Sequence, residues 1–267
     1  EFAWMHALNA DHYSISQAAG GGVLKYEHVF IIFPKGKLNL SAEGSKIGNQ
    51  TNPVSELLAY DIVGRLKQTN QNVYYLQEGP SWWFNDYSVV DQINFYNLLA
   101  SVDRIFAHNE YDVKFYKGLV PGKPVETMPT LMIEDLIGDI EGQKQTKAFI
   151  GGNFARWYGG FQSYLVAQEF DVPIWAQSSH AKRENEDQVE SLAHIGRVDW
   201  VDWINKLSEF KYAVHLMPTI AAGTFSLNCA YLGIPCIGNE KVDTQRICHP
   251  ELSVDVEDVE EARNLAA

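Results

Sequence analysis

Between Lys211 and Gly238 the chain reads KYAVHLMPTIAAGTFSLNCAYLGIPCIG, and this stretch limits the possible fold more than any other. Tyr212 to Met217 is a short, mostly apolar run closed by Pro218, and Ile234 to Ile237 is another. Apolar runs of that length, without alternation, suit strands buried on both faces of a parallel sheet. Parallel neighbours need a crossover, and the residues between the runs supply a helix that Gly233 ends. Gly223 gives the backbone freedom to turn sharply before it, and Thr224 or Ser226 is expected to cap it through a hydroxyl.

A helix that starts at the carboxyl end of a parallel strand directs unpaired N–H groups and a positive dipole end into the crevice above the sheet. Phosphate binds readily at such a place. With one glycine turn and no lysine, two readings of AAGT stand side by side: an anion cradle, or a well-capped connection.

The same alternation runs through the rest of the chain. His28 to Phe33 and Val73 to Leu76 read as strands, separated by a polar loop from Lys35 to Asn52 and by a helix opening at Pro53 and carrying Leu57, Leu58, Ile62, Val63 and Leu66. The first residues have a helical flavour up to about Ala19 and break at Gly20 to Gly22. The second strand runs into QEGPSWWFND, which sets Gln77 and Glu78 at the edge where open parallel sheets hold ligands. Glu78 is therefore a catalytic candidate, or a carboxylate that caps a loop beside Gly79 and Pro80. Trp82, Trp83 and Phe84 suit either a sugar face or the plugged end of a sheet. A helix from Val89 to Val102 leads to a strand at Arg104 to Ala107, crowned by His108, Asn109 and Glu110, and then to a small helix from Tyr111 to Gly118.

PGKPVETMPTLMIEDLIGDIEGQKQ interrupts this rhythm with three prolines and three glycines, and reads as a connection between domains. The expected division is residues 1–130, a linker at 131–145, and residues 146–267. The second half opens with a strand at Lys147 to Ile150 and the turn GGNFARWYGG, in which Gly151, Gly152 and Arg156 make a second anion-friendly group. A helix from Phe161 to Phe170, a strand at Pro173 to Ala176 leading to SSH, a strand at His194 to Val198 and a helix from Val201 to Phe210 return to the opening stretch. Lys241 to Cys248 and Val256 to Leu265 read as closing helices.

Composition narrows the partners. A formal charge of −13, with no run of Lys or Arg, argues against nucleic acid and anionic membranes. Three cysteines, Cys229, Cys236 and Cys248, fit neither a disulfide framework nor CxxC zinc spacing, so a reducing, cytoplasmic setting is expected, with Cys229 and Cys236 as small core residues. His6, Asp11 and His12 can be imagined as a metal set, but nothing in the sequence fixes their geometry, and they are expected to be ordinary polar residues with no metal. No apolar run is long enough to span a bilayer. The start at Glu1 rather than Met points to an upstream piece.

The order FIGG with Arg156, then PIWAQSS, HIGRV and AAGTFSLNCAYLGIPCIG, resembles the donor-binding domain of GT-B type glycosyltransferases. NVYYLQEGPSWWF is similar, more loosely, to the first domain of rhamnosyltransferase-like members. The resemblance implies an α/β fold of two Rossmann-like domains facing across a cleft, the first of them reduced. It implies a nucleotide-sugar donor, a substrate rather than a cofactor, held by the second domain. The diphosphate would lie on the helix opening at Gly223, Thr224, Phe225 and Ser226 and on Arg156, beside Gly152 and Asn153. The base and ribose would lie near Gly196, Arg197 and Val198, and Lys241, Thr244 and Gln245 would face the donor.

Many retaining members carry glutamates at the positions held here by Ile220 and Asn228. Asn228 is left to hydrogen-bond a ribose hydroxyl or to serve as an ordinary helix residue. A metal-independent glycosyltransferase follows, with Arg156, Thr224 and Ser226 as ligands of the leaving group, and with Glu78, His108 and Glu110 as candidate bases if the reaction inverts. The acceptor is a carbohydrate or small molecule of unspecified kind. Two alternatives remain: a nucleotide-sugar epimerase of the same architecture, and a non-catalytic sugar- or nucleotide-binding relative.

Overall fold

The computed structural model of the chain describes residues 2–14, 17, 25–33, 59–70, 72–140, 142–152, 154–155, 157–177 and 185–267. The expected glycine break at 20–22, the stop at Pro34, the loop 35–52, the helix opening at 53–58 and the SSH segment fall outside these residues. The chain divides into two compact units, one of residues Leu8–Pro129 and one of Thr130–Ala267 with Glu1–Ala7.

The first unit carries β1 (His28–Ile31), β2 (Asn72–Leu76), β3 (Arg104–Ala107) and β4 (Val125–Thr127), all parallel and ordered β1-β2-β3-β4. Its helices include α2 (Ala59–Thr69), α3 (Val89–Ser101) and α4 (Glu110–Leu119). Successive right-handed crossovers that always step the same way leave their helices on one face of a sheet. Accordingly one core joins Ile62 and Leu66 of α2, Leu98 and Leu99 of α3 and Tyr116 of α4 to Val73, Tyr75 and Ile105 of the strands. Phe30, Tyr74 and Phe106, out of phase by one residue, meet one another edge-on or tilted on the opposite face. β4 is a correction to the sequence reading, in which VET was absorbed into the proline-rich connection; Ile105 and Ala107 recruit it by parallel pairing with Val125 and Thr127.

The helix at the N-terminus, α1, covers Phe2–Ala7; residues 8–14 are not helical, Gln17 is, and 15–16 and 18–19 lie outside the described residues. The segment expected as a linker, 131–145, belongs to the second unit, where Ile133 and Ile137 are buried.

The second unit is a six-stranded parallel sheet: β5 (Gln145–Ile150), β6 (Ile174–Gln177), β7 (Leu192–Ile195), β8 (Phe210–His215), β9 (Cys236–Asn239) and β10 (Ser253–Val254). Their order is β10-β9-β8-β5-β6-β7. The chain steps outward from β5 to β7, returns to the other side of β5 with β8, and steps outward again to β10. Reversing the direction of stepping puts later crossover helices on the opposite face. α5 (Gly160–Ala167) packs with Ala148, Ile150 and Val214, and α9 (Val259–Ala266) joins the same cluster. α6 (Trp200–Ser208) and α7 (Thr224–Tyr231) pack with Phe149, Ala213 and Cys236 on the other face. α8 (Asp243–Cys248) follows β9. This is the doubly wound Rossmann arrangement, with its topological switch point between β5 and β8. Cys229 and Cys236 are fully buried, and burial pushes the Cys229 thiol well up, as expected of core residues.

α7 ends as its sequence requires. Gly233 (φ 61°) takes the left-handed position, its N–H reaches the carbonyl of Ala230, and the N–H of Ile234 reaches that of Cys229, the paired bonds of a Schellman stop.

Candidate functional site

In open α/β sheets the ligand crevice lies beyond the carboxyl ends of the strands that flank the switch point. Here those strands are β5, which exits into Gly151 and Gly152, and β8, which exits through His215. The two exits touch. A Cβ added to Gly151 would lie 2.5 Å from His215 Cγ and 2.8 Å from a ring carbon of Phe225, and the Gly151 N–H donates to the Val214 carbonyl at 2.8 Å. Gly152 is buried against Tyr158. The expected anion ligands Asn153 and Arg156 lie outside the described residues.

The other wall is the entry to α7. Gly223 is its N-cap, at φ 73°, and no side chain caps the helix, which corrects the expectation that Thr224 or Ser226 does so. Each hydroxyl has another partner. Thr224 Oγ1 lies 3.2 Å from Thr130 Oγ1, and Ser226 Oγ donates inward to the buried Gln245 Oε1 at 2.7 Å. Helix geometry leaves the N–H groups of the first turn without intrahelical partners, so the uncapped end of α7 presents donors and a positive dipole end.

The residues after β9 build the cradle from behind. Thr244 Oγ1 donates to the carbonyls of Gly223, at 3.0 Å, and Ala222, at 3.3 Å, which holds the glycine turn in place. Gln245 Nε2 donates to the carbonyls of Cys236 and Leu252. The Lys241 ammonium pairs with Asp255 at 3.1 Å. Thr244, Gln245 and Lys241, expected to face the donor, thus spend their polar groups on the protein. Asn239, unremarked in the sequence, does similar work: its buried amide donates to the Met217 carbonyl and accepts the Lys241 N–H.

Two buried polar atoms at this site have no hydrogen-bond partner among the described residues, Asn228 Oδ1 and His215 Nε2. Asn228 lies one turn into α7 and is 3% exposed. His215 meets Phe225 edge to face, with ring centroids 5.0 Å apart. Burial depresses its pKa to about 4, so the imidazole is neutral at physiological pH. Arg197, in the loop after β7, is exposed.

In the first unit the three candidate bases share one sheet edge. β2 and β3 are neighbours, and Glu78 and His108 follow their carboxyl ends. Glu78 is exposed, and so is Glu110, which opens α4 where a carboxylate favours the helix dipole. Burial lowers His108 to a pKa of about 4. A polar group not anticipated as such organises this edge. Gln77 Nε2 donates to Asp112 Oδ2 and to the Gly79 carbonyl, and its Oε1 accepts the His108 N–H at 3.0 Å. Asn109 caps α4 and donates to Asp112, and burial raises the Asp112 pKa. Trp83 covers Gly79 so closely that a Cβ there would sit 2.2 Å from its ring, and Phe84 packs on the core; Trp82 remains 37% exposed.

No protein-family model matches the sequence, and no curated protein matches it. Solved structures do. Trehalose-6-phosphate synthase OtsA superposes with a TM-score of 0.57 at 9% identity over 77% of this chain. Sucrose-phosphate synthase from Thermosynechococcus elongatus gives 0.56 at 12% over 93%, and the pneumococcal O-GlcNAc transferase GtfA, in complex with UDP and GlcNAc, gives 0.54 at 11% over 77%. The fold is that of the GT-B glycosyltransferases. The chain spans 61% of OtsA, 46% of GtfA and 80% of the sucrose-phosphate synthase. Among the described residues no helix is long and apolar enough to cross a membrane.

Proposed function

We propose that the protein is a glycosyltransferase that takes its sugar from a nucleotide-sugar donor. The observation that carries this reading is the switch point of the second unit, where a glycine turn after β5 meets an uncapped helix N-terminus after β8. Such a junction holds a diphosphate by backbone N–H groups and helix dipole, the charge that grows on the leaving group in glycosyl transfer. GtfA, of the same fold, holds UDP.

In this reading the N-terminus of α7 and Thr224 bind the diphosphate, with Arg156, Asn153 and Gly152 of the β5 turn, while Ser226 supports the cradle through Gln245. Asn228 supplies a ribose contact in place of a carboxylate, which suits its unpaired Oδ1. Arg197 borders the base. With helix dipole and Arg156 as the electrophilic groups, the reaction needs no metal. For an inverting reaction the candidate bases are those of the first unit, His108, kept neutral by burial, and Glu78 and Glu110, at the carboxyl ends of β2 and β3. Residues 1–130 serve the acceptor, residues 146–267 the donor, and the absence of disulfide spacing suits the cytoplasm.

A second reading, a binding relative without catalysis, draws on Ile220 and Asn228 at positions where many relatives carry glutamates. A panel of nucleotide sugars, each assayed with and without carbohydrate acceptors, decides. Sugar transfer supports the proposal, epimerised donor without acceptor points to an epimerase, and binding without turnover points to the second reading. Arg156→Ala is expected to weaken nucleoside diphosphate binding by about 1.5–3 kcal/mol, the scale of a charged hydrogen bond; unchanged calorimetric affinity removes Arg156 from the site.

A further inference from the structure

We infer that the buried Glu186–His194 pair is a positioning device that sets the turn following β5. The ligand of that turn is the diphosphate of the proposed function, and to that extent the inference rests on that reading.

Glu186 opens a short turn, Glu186–Gln188, ahead of β7, and its side chain is fully buried. One carboxylate oxygen, Oε1, lies 3.0 Å from Nε2 of His194, a residue of β7 that is itself mostly buried. The other, Oε2, accepts the backbone N–H of Phe154 at 3.3 Å. Phe154 belongs to the turn GGNFAR, so a single carboxylate ties the β5 exit to β7. These strands are not neighbours, since β6 lies between them. The bond therefore spans the crevice edge of the sheet and fixes a turn that no strand pairing fixes. On its far side Phe154 packs against Phe161 and Tyr164, the first from the opening turn of α5. Phe154 is thus held from two directions, by aromatic contact and by the carboxylate.

Electrostatics sharpen the argument. A carboxylate behind an anion-binding turn opposes the anion through space, and burying it costs several kcal/mol unless it is paired and hydrogen-bonded. Its contribution to binding must then be geometric. His194 is one partner that makes the burial tolerable, with Asp187 3.9 Å from its other nitrogen.

Glu186→Gln keeps the size and leaves one acceptor oxygen in place of two. With the His194 proton on Nε2 that oxygen goes to the ring, at 3.0 Å, and the backbone N–H of Phe154, on the longer bond at 3.3 Å, loses its partner. Hydrogen exchange of the segment containing Phe154 should then quicken about 10-fold, and affinity for UDP and GDP by calorimetry should fall about 10-fold, with the melting temperature nearly unchanged. His194→Gln retains a donor toward the carboxylate and should restore most of both readouts relative to His194→Leu; it carries the test if Glu186→Gln fails to fold. Unchanged exchange and affinity in Glu186→Gln overturn the inference, and so does a loss of both that merely follows a fall in global stability. If the unaltered protein takes neither UDP nor GDP while the Phe154 segment still loosens in Glu186→Gln, the proposed function falls and the positioning role stands.

Discussion

Gly223→Ala strikes the proposed site at its narrowest point. At φ 73° an alanine sits in the left-handed region, at a cost of about 1–2 kcal/mol. Its Cβ would fall 1.6 Å from Thr244 Oγ1 and 2.7 Å from Val242 Cγ1, so Thr244 must swing away. That motion gives up the single hydroxyl proton's bond, shared between the Gly223 and Ala222 carbonyls and worth about 0.5–1.5 kcal/mol in all. The sum is a loss of about 1.5–3.5 kcal/mol, read as a shift of the urea midpoint by tryptophan fluorescence. Thr244→Ala alone removes the hydroxyl bonds, while the double variant also removes the worst overlap. The two substitutions should therefore cost at least about 1 kcal/mol less together than their sum, a coupling of the size residues in contact show. UDP affinity of Gly223→Ala should fall at least about 10-fold, or about 1.4 kcal/mol, because the first turn of α7 moves with the cap. A stability-neutral Gly223→Ala, or strict additivity with Thr244→Ala, would refute the claim that the turn is built on this close approach.

Ser226→Ala leaves the buried Gln245 Oε1 without its donor, so stability should fall by about 1–3 kcal/mol while UDP affinity holds; the reverse pattern in calorimetry and melts would return Ser226 to the ligand. Thr224→Val, at nearly constant volume, should weaken UDP binding more than it lowers the melting point, and a melt-only effect would make this hydroxyl structural. His215 takes a proton near pH 6.5 when unfolded but only near 4 when folded, so the stability it contributes is full above 6.5 and is lost as pH falls toward 4. At about 1.4 kcal/mol per pKa unit the loss is up to about 3 kcal/mol, and His215→Phe should flatten the acid limb of a urea-midpoint profile, with His108 retaining a share of the same sign; an unchanged slope would show that His215 is not protected from protonation.

Most elements were legible because local pattern decided them. Strand β3 and helix α7 followed from apolar runs and glycine punctuation, and the strand–turn–helix–strand unit from residue 211 to 238 is present in the order read, with its strands at Phe210–His215 and Cys236–Asn239 rather than Tyr212–Met217 and Ile234–Ile237. β4 and β10 were not legible, since three and two residues carry no periodicity of their own and exist through pairing with β3 and β9. The hydroxyl cap on α7 failed for a related reason. Thr224 and Ser226 have the chemistry of a cap, but Gln245 and Thr130, distant in sequence, compete for their oxygens.

The sequence by itself determined that the second half is a parallel α/β sheet with glycine turns at strand ends, because burial on two faces and backbone freedom are properties of short segments. Only the tertiary structure decided which turns meet. Strand order placed β5 beside β8, which brought Gly151 against His215 and Phe225 and joined segments more than sixty residues apart. It also decided which polar residues face inward, since Gln245, Thr244 and Glu186 are spent on backbone and side chains that only the folded sheet brings within hydrogen-bonding distance.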